Sequence, residues 1–415
     1  MKHTSFTIAW STLVLAAGWY YALVALPAAT RAPPGSYGRW VMADLTPSWY
    51  ATRAVLVQHR SPYCDEVTRD IQVSMYGRTI EGTRLSDEQR FAYPVFAVFP
   101  LFPMAWLSLA ATQKLAFWIF IALNLLTTWL WTRVMEVRCN LLLLAVVLAA
   151  FPVNMAIVLR QPTVLYLFIM ALFVYCTRSG HLWTAGIAGA FAMAKPQLAI
   201  AVITPVLFWA AADWRKRKSL VLGFLAATGA LLISSALLVP GWIPQWYHAM
   251  AAYSRYGNVT PLFFASLSPG IAVIGVVVLV LLWHVRRSLE FTVALALAAS
   301  PFVLPFQYYN LPLVLPSLLW IWANRSDLQQ RVGSRLAYRC GELVYVAGMA
   351  ALGLACLAPP LSSRPVFAVS VISFVLLGLV PGLVLSIHYP HLLRSLKLAA
   401  AFESSGETAV SRTGV

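Results

Sequence analysis

Read from Met1 onward, the chain is a succession of apolar runs of about 14 to 23 residues separated by short polar stretches. The first run, FTIAWSTLVLAAGWYYALVAL (6–26), is long for a signal-peptide core. No small-x-small cleavage site follows it, so it reads as a retained signal anchor. Further runs near 115–132, 140–158, 162–177, 181–194, 196–212, 218–240, 268–284, 289–305, 310–323, 341–358 and 366–388 are close to the length that crosses a bilayer as helix. Backbone polar groups in lipid must bond internally, so such runs are helical. The pattern predicts an all-α polytopic membrane protein with about 12 transmembrane helices.

One apolar stretch breaks the pattern. YPVFAVFPLFPMAWLSLA (93–110) carries Pro94, Pro100 and Pro103, each of which removes a helical donor. Counting it as a span also inverts everything after it. It is therefore expected to be re-entrant or interfacial on the outer face. With that choice the positive-inside rule holds along the chain. Arg215, Lys216, Arg217 and Lys218 fall in the cytoplasm, as do Arg178, the Arg133/Arg138 turn, Arg286 with Arg287, and the 325–339 segment. Both termini are then cytoplasmic. The expected layout is one transmembrane domain over 1–397, with residues 27–114 as a large outer loop. A small, polar, disordered tail over 398–415 would follow.

Composition agrees: 60% of the 415 residues are hydrophobic and 11% are charged, with mean hydropathy +0.74. A soluble domain carries roughly 25% charged residues. The net charge of +16 is spread over loops and reads as topology signal and phosphate contact, so no nucleic-acid partner is expected. Five scattered cysteines and seven scattered histidines have no metal-ligand spacing, and neither metal nor cofactor is expected.

Candidate chemistry concentrates in the outer loop, because long loops between helices are usually functional or disordered. The stretch DLTPSWYATRAVLVQHRSPY (44–63) reads as a helix capped by Thr46, with Pro47 at its first position and Ser61-Pro62 as its stop. Its apolar and Arg faces suit a membrane surface. Asp44 precedes it, either as a cap or dipole partner or as a general base at the water–lipid boundary. Asp65, Glu66, Asp70, Glu81, Asp87 and Glu88 are rivals in more hydrophilic stretches and read as solvated surface. Arg160, Lys195 and Arg255 stand alone in outer-face turns, either snorkelling to headgroups or cradling a phosphate. The aromatic segment 240–258 reads as an interfacial loop or a sugar platform. His248 within it is a polar neighbour or a catalyst.

Several motifs in order resemble glycosyltransferase family 87. They are D-L-T-P-S-W-Y-A-T-R-A-V-L with S-P-Y at 61–63, F-A-Y-P-V-F at 91–96, R-Q-P-T at 160–163, A-K-P-Q at 194–197, RKRK, P-G-W at 240–242, and S-P-F-V-L-P-F-Q-Y-Y-N-L at 300–311. The resemblance covers roughly residues 10 to 325. It implies a GT-C-type fold with juxtamembrane helices in the first outer loop. It implies transfer of a hexose, mannose above all, from a polyprenyl-phosphate donor to a lipid or glycan acceptor at the extracytoplasmic face of the plasma (inner) membrane. Asp44 would then be the catalytic base, and a single displacement would invert the anomeric carbon. Arg160, Lys195 and Arg255 are the expected phosphate partners. Tyr63, Gln161, His248, Gln307, Tyr308 and Asn310 are expected at sugar hydroxyls or the lipid headgroup. The chain departs from the family at Arg160-Gln161-Pro162-Thr163, where Gly-Gln-x-Asn is usual, and at the apolar stretch Phe302–Phe306. The rival readings are a transporter of lipid-linked oligosaccharides or small molecules, and an O-antigen polymerase or ligase. A transporter would show inverted repeats and mid-membrane polar residues, whereas the ionisable residues here cluster at one face. A polymerase would place its main loop later in the chain.

Overall fold

The computed structural model describes residues 44–80, 88–149, 151–256, 289–303, 310, 312–313 and 315–324. The expected first span, the spans near 268–284, 341–358 and 366–388, and the tail lie outside these residues, as do Glu81, Asp87, Gln307 and Tyr308. Every regular element among the described residues is helical.

Two amphipathic helices come first, α1 (Leu45–Leu56) and α2 (Asp65–Tyr76), followed by a 3₁₀ helix over Val95–Trp106. A bundle follows: α3 (Leu109–Val134), α4 (Leu141–Ala149), α5 (Phe151–Val158), α6 (Thr163–Arg178), α7 (Leu182–Ala192), α8 (Pro196–Ala212), α9 (Trp214–Leu238), α10 (Trp242–Tyr256), α11 (Leu289–Val303) and α12 (Leu315–Ala323). Of these, α3 and α9 are long and apolar enough to cross a membrane by themselves. The run at 140–158 is divided into α4 and α5, with Pro152 in the first turn of α5, where a missing N–H costs least.

The main core joins the end of α3 to α6, α7, α8, α11 and α12 through Trp131, Phe173, Leu198, Leu295 and Trp320. Small residues let α7 meet α9 closely: a Cβ on Gly186 would stand 2.3 Å from the Leu220 carbonyl oxygen. At the end of α6, the Arg178 guanidinium is paired with Glu136 after α3 and Glu290 at the start of α11. It also donates to the Val134 carbonyl at 2.5 Å.

The proline-rich segment is where sequence and packing meet most directly. Pro100 and Pro103 lie inside the 3₁₀ helix and cannot donate. Its carbonyls, and those flanking it, must find partners if they are to sit away from water. Aromatic side chains supply them. Trp49 Nε1 donates to the Met104 and Leu107 carbonyls at 3.1 and 3.2 Å. Tyr166 reaches the Ala97 carbonyl at 3.3 Å, Trp246 that of Ala92 at 3.0 Å, and Tyr63 that of Tyr93 at 2.7 Å. Arg53, stacked 5.5 Å from the Trp49 ring centroid, donates to the Ala105 carbonyl at 3.4 Å. The Trp49/Arg53 face of α1 thus docks on the 3₁₀ helix.

Two local expectations are corrected. Thr46 is not the cap of α1. The N-cap is Asp44, and Pro47 sits at the third helical position, still within the turn where no N–H is needed. Within the aromatic segment 240–258, Trp242–Tyr256 is not a loop but the helix α10, launched from Gly241 at φ +68°. Its Trp242 is buried, and Trp242 and Trp246 pack with Phe96 in one cluster.

Candidate active site

Asp44 has helical backbone angles (φ −61°, ψ −8°), and its side chain makes no capping bond to α1. The cap or dipole reading alone therefore leaves the carboxylate's direction unexplained. Its backbone N–H is held by the Leu159 carbonyl at 2.9 Å, and one carboxylate oxygen accepts from Gln161 Nε2. Both partners come from the turn between α5 and α6.

That turn has a definite construction. Arg160 N–H donates to the Ile157 carbonyl at 3.1 Å, Gln161 N–H donates to the Ala156 carbonyl at 2.8 Å, and Arg160 has φ +50°. This is a Schellman termination with Arg160 at the left-handed position usually held by glycine. The departure from Gly at this point of the family motif is thus a backbone matter first. Arg160→Ala and Arg160→Gly both remove the side chain, so their difference isolates the backbone. Glycine is expected to be the more stable of the two by about 1 kcal/mol in thermal or denaturant unfolding. Equal stability would mean that the left-handed turn is relaxed in solution.

The same turn carries two further polar side chains inward. Thr163 is fully buried at the first position of α6, and its hydroxyl lies 3.1 Å from Asn310 Oδ1 and 3.4 Å from Gln161 Oε1. The Lys195 ammonium donates to the Thr163 hydroxyl oxygen and lies 5.7 Å from the centroid of the Tyr93 ring. Lys195 stands in the turn between α7 and α8 and is 3% exposed. Burial pulls its amine down to about 7, against a smaller upward pull from the Asp44 carboxylate.

Four separated parts of the chain therefore meet: the start of α1, the α5–α6 turn, the α7–α8 turn and Asn310. Of the residues singled out from sequence, Asp44, Gln161, Lys195 and Asn310 are brought together. Arg160 contributes its backbone, while its guanidinium bonds the Val158 carbonyl and lies 5.2 Å from the Phe117 ring centroid. Burial lowers that guanidinium from its ordinary value. Tyr63 is buried with its hydroxyl on the Tyr93 carbonyl, one step behind the Tyr93 ring, and burial pushes its phenol up. His248 is exposed on α10 beside Tyr247. Arg255 lies near the end of α10.

The rival acids that lie among the described residues are ion-paired. Asp65 and Glu88 both pair with Arg90, Glu66 with Arg69, and Asp70 with Arg60. Among the described residues, no group of three His, Cys, Asp or Glu side chains is placed to hold a metal ion. Thr163 and Tyr93 were missed as site residues. Each stood inside a quoted motif, R-Q-P-T and F-A-Y-P-V-F, and a threonine or tyrosine there carries no mark of burial beside a charge.

No curated protein and no solved structure matches the chain. The sequence pattern of glycosyltransferase family 87 matches residues 91–316, more than half of the chain. The match includes Gln161, Thr163, Lys195 and Asn310 and stops short of Asp44. Among the described residues every element is helical and two helices are long and apolar enough to cross a membrane; the chain belongs to glycosyltransferase family 87 and is a membrane glycosyltransferase.

Proposed function

We propose that the protein transfers a hexose, mannose above all, from a polyprenyl-phosphate donor to a lipid or glycan acceptor at the extracytoplasmic face of the plasma (inner) membrane. The observation that carries this reading is the joining of Asp44 and Lys195 through the Gln161–Thr163 turn, which puts a carboxylate and a buried ammonium in one group. A phosphate-linked sugar needs these two functions. A base must take the proton of the attacking hydroxyl, and a cation must meet the charge on the departing phosphate.

In the proposed step the acceptor oxygen attacks the anomeric carbon as the bond from that carbon to the phosphate oxygen breaks. The hydroxyl proton passes to Asp44, and the lipid phosphate leaves toward Lys195. One displacement inverts the anomeric carbon. Gln161 holds the carboxylate through its amide. Arg160, turned to Phe117, serves mainly as the left-handed turn that presents Gln161 and Thr163. Asn310 and Tyr93 line the same group. Tyr63, His248, Arg255, Gln307 and Tyr308 stay in the proposal as contacts made by a bound headgroup or acceptor.

The test uses the purified protein in lipid nanodiscs with radiolabelled sugar donors and membrane lipids as acceptors. Polyprenyl-phosphate mannose is expected to give labelled product, and nucleotide-linked mannose none. Transfer from the nucleotide sugar instead, or inertness toward every polyprenyl-phosphate hexose, would overturn the donor assignment.

A further inference from the structure

Thr163 has no titratable group and no place in the displacement itself, yet its side chain joins three other residues of the site. Its hydroxyl has one proton and meets three polar groups: the Lys195 ammonium, Asn310 Oδ1 and Gln161 Oε1. An ammonium can only donate, so the Lys195 contact takes up a lone pair of the hydroxyl and leaves its proton for an acceptor. Asn310 Oδ1, at 3.1 Å, is better placed than Gln161 Oε1 at 3.4 Å. The bonds run in one direction, from Lys195 through Thr163 to Asn310. Each strengthens the next, because a hydroxyl that accepts from a cation is a better donor. The amide orientations agree with this. Asn310 turns its oxygen to the hydroxyl, and Gln161 sends its NH₂ to Asp44 and its oxygen back toward Thr163.

We infer that Thr163 is a positioning residue, which fixes the Lys195 ammonium against the Tyr93 ring so that it meets the phosphate of an incoming lipid donor. The inference rests on the donor reading given above for its ligand. The backbone makes the position firm. Thr163 opens α6 directly after Pro162, with Val164 N–H bonded to the Gln161 carbonyl at 3.1 Å, so the threonine cannot turn away without unwinding the helix start. A long, flexible lysine stem has many rotamers, and burial alone does not select one. The hydroxyl does.

Valine matches threonine in shape and lacks the hydroxyl, and serine keeps the hydroxyl without the methyl group. Thr163→Val is expected to raise the donor KM about tenfold or more, the loss that goes with a hydrogen bond to a charged group. Its kcat should fall as well, though by less than Asp44→Asn costs, because the Lys195 ammonium also meets the charge of the departing phosphate while proton removal by Asp44 is untouched. Thr163→Ser should return KM close to wild type. Binding of a short prenyl phosphate that carries no sugar, measured by titration into nanodiscs, should weaken in Thr163→Val and recover in Thr163→Ser in parallel.

An unchanged KM and prenyl-phosphate affinity in Thr163→Val would overturn the inference. So would a Thr163→Ser variant as impaired as Thr163→Val, since the methyl group and not the hydroxyl would then be what matters. If prenyl-phosphate binding follows the expected order while no polyprenyl-phosphate hexose is turned over by wild type, the transferase donor falls and the positioning role stands.

Discussion

Asp44→Asn is expected to lower glycosyl transfer by about 10²–10⁴-fold, the usual worth of a positioned general base, with thermal stability close to wild type. The structure makes this a clean substitution. The carboxylate does not cap α1, so no capping bond is lost. The Gln161 NH₂ donates to the carboxylate, and an asparagine oxygen can still accept it. The change removes proton affinity together with the carboxylate's charge beside the Lys195 amine. Asp65→Asn is the control, because Asp65 is paired with Arg90 at the surface and 74% of its side chain is exposed. Transfer should be measured at saturating donor, so that the loss is read in kcat. Near-normal turnover by Asp44→Asn would show that the base lies elsewhere.

Lys195→Met is expected to weaken the use of donor by about 10²-fold in kcat/KM, the scale of losing one partner of a buried charge interaction. The accompanying pH profile is the sharper reading. In the free protein the amine sits at about 7, so it is charged below that pH and neutral above it. An anionic headgroup selects the charged form. Donor kcat/KM in wild type should therefore be flat below pH 7 and fall by up to about tenfold per unit above it, as the competent fraction shrinks. Among the described residues, the groups that face the amine include the Asp44 carboxylate, the Tyr93 ring and the Thr163 hydroxyl. Lys195→Met should lack this alkaline limb while keeping whatever acid limb the base imposes. A limb at the same pH in both proteins would assign it to another group.

The helices were legible because long apolar runs declare themselves by composition. The runs read near 162–177, 181–194 and 196–212 fold as α6, α7 and α8 within a few residues of the expected bounds. The amphipathic stretch after Asp44 was legible too, since Trp49 and Arg53 recur at helical spacing. Its first turn was not. A Thr-Pro pair looks like a cap followed by the first helical position, and nothing local shows that the helix starts two residues earlier. The segment 240–258 was misread for a related reason: its tryptophans, tyrosines and Gly241 look like an interfacial loop, whereas burial of Trp242 against Phe96 favours the helix. For the site, charge was the guide. A place just before an amphipathic helix drew attention to Asp44, and isolation in a short apolar turn drew it to Lys195; the fold brings the two together. The same rule gave Arg160 a phosphate role, although its left-handed backbone and its stacking on Phe117 can be seen only in three dimensions. Thr163 carries no charge, and its importance comes from neighbours 32 and 147 residues away in the chain.

The Arg178 clasp bears on how the protein is made. Its two carboxylate partners leave the ribosome at different times, Glu136 being 42 residues earlier and Glu290 112 residues later. At about 5–20 residues per second, the second partner arrives roughly 6–20 s after the arginine. During that interval Glu136 and the Val134 carbonyl can hold the guanidinium, so α3 and α6 have a charge-matched contact before α11 exists. Arrival of Glu290 then gives α11 an electrostatic address at one end of a bundle whose core contacts are largely apolar and weakly directional. The clasp thus works as an assembly mark during synthesis: it registers a late helix against two early ones and sets the order in which the bundle closes.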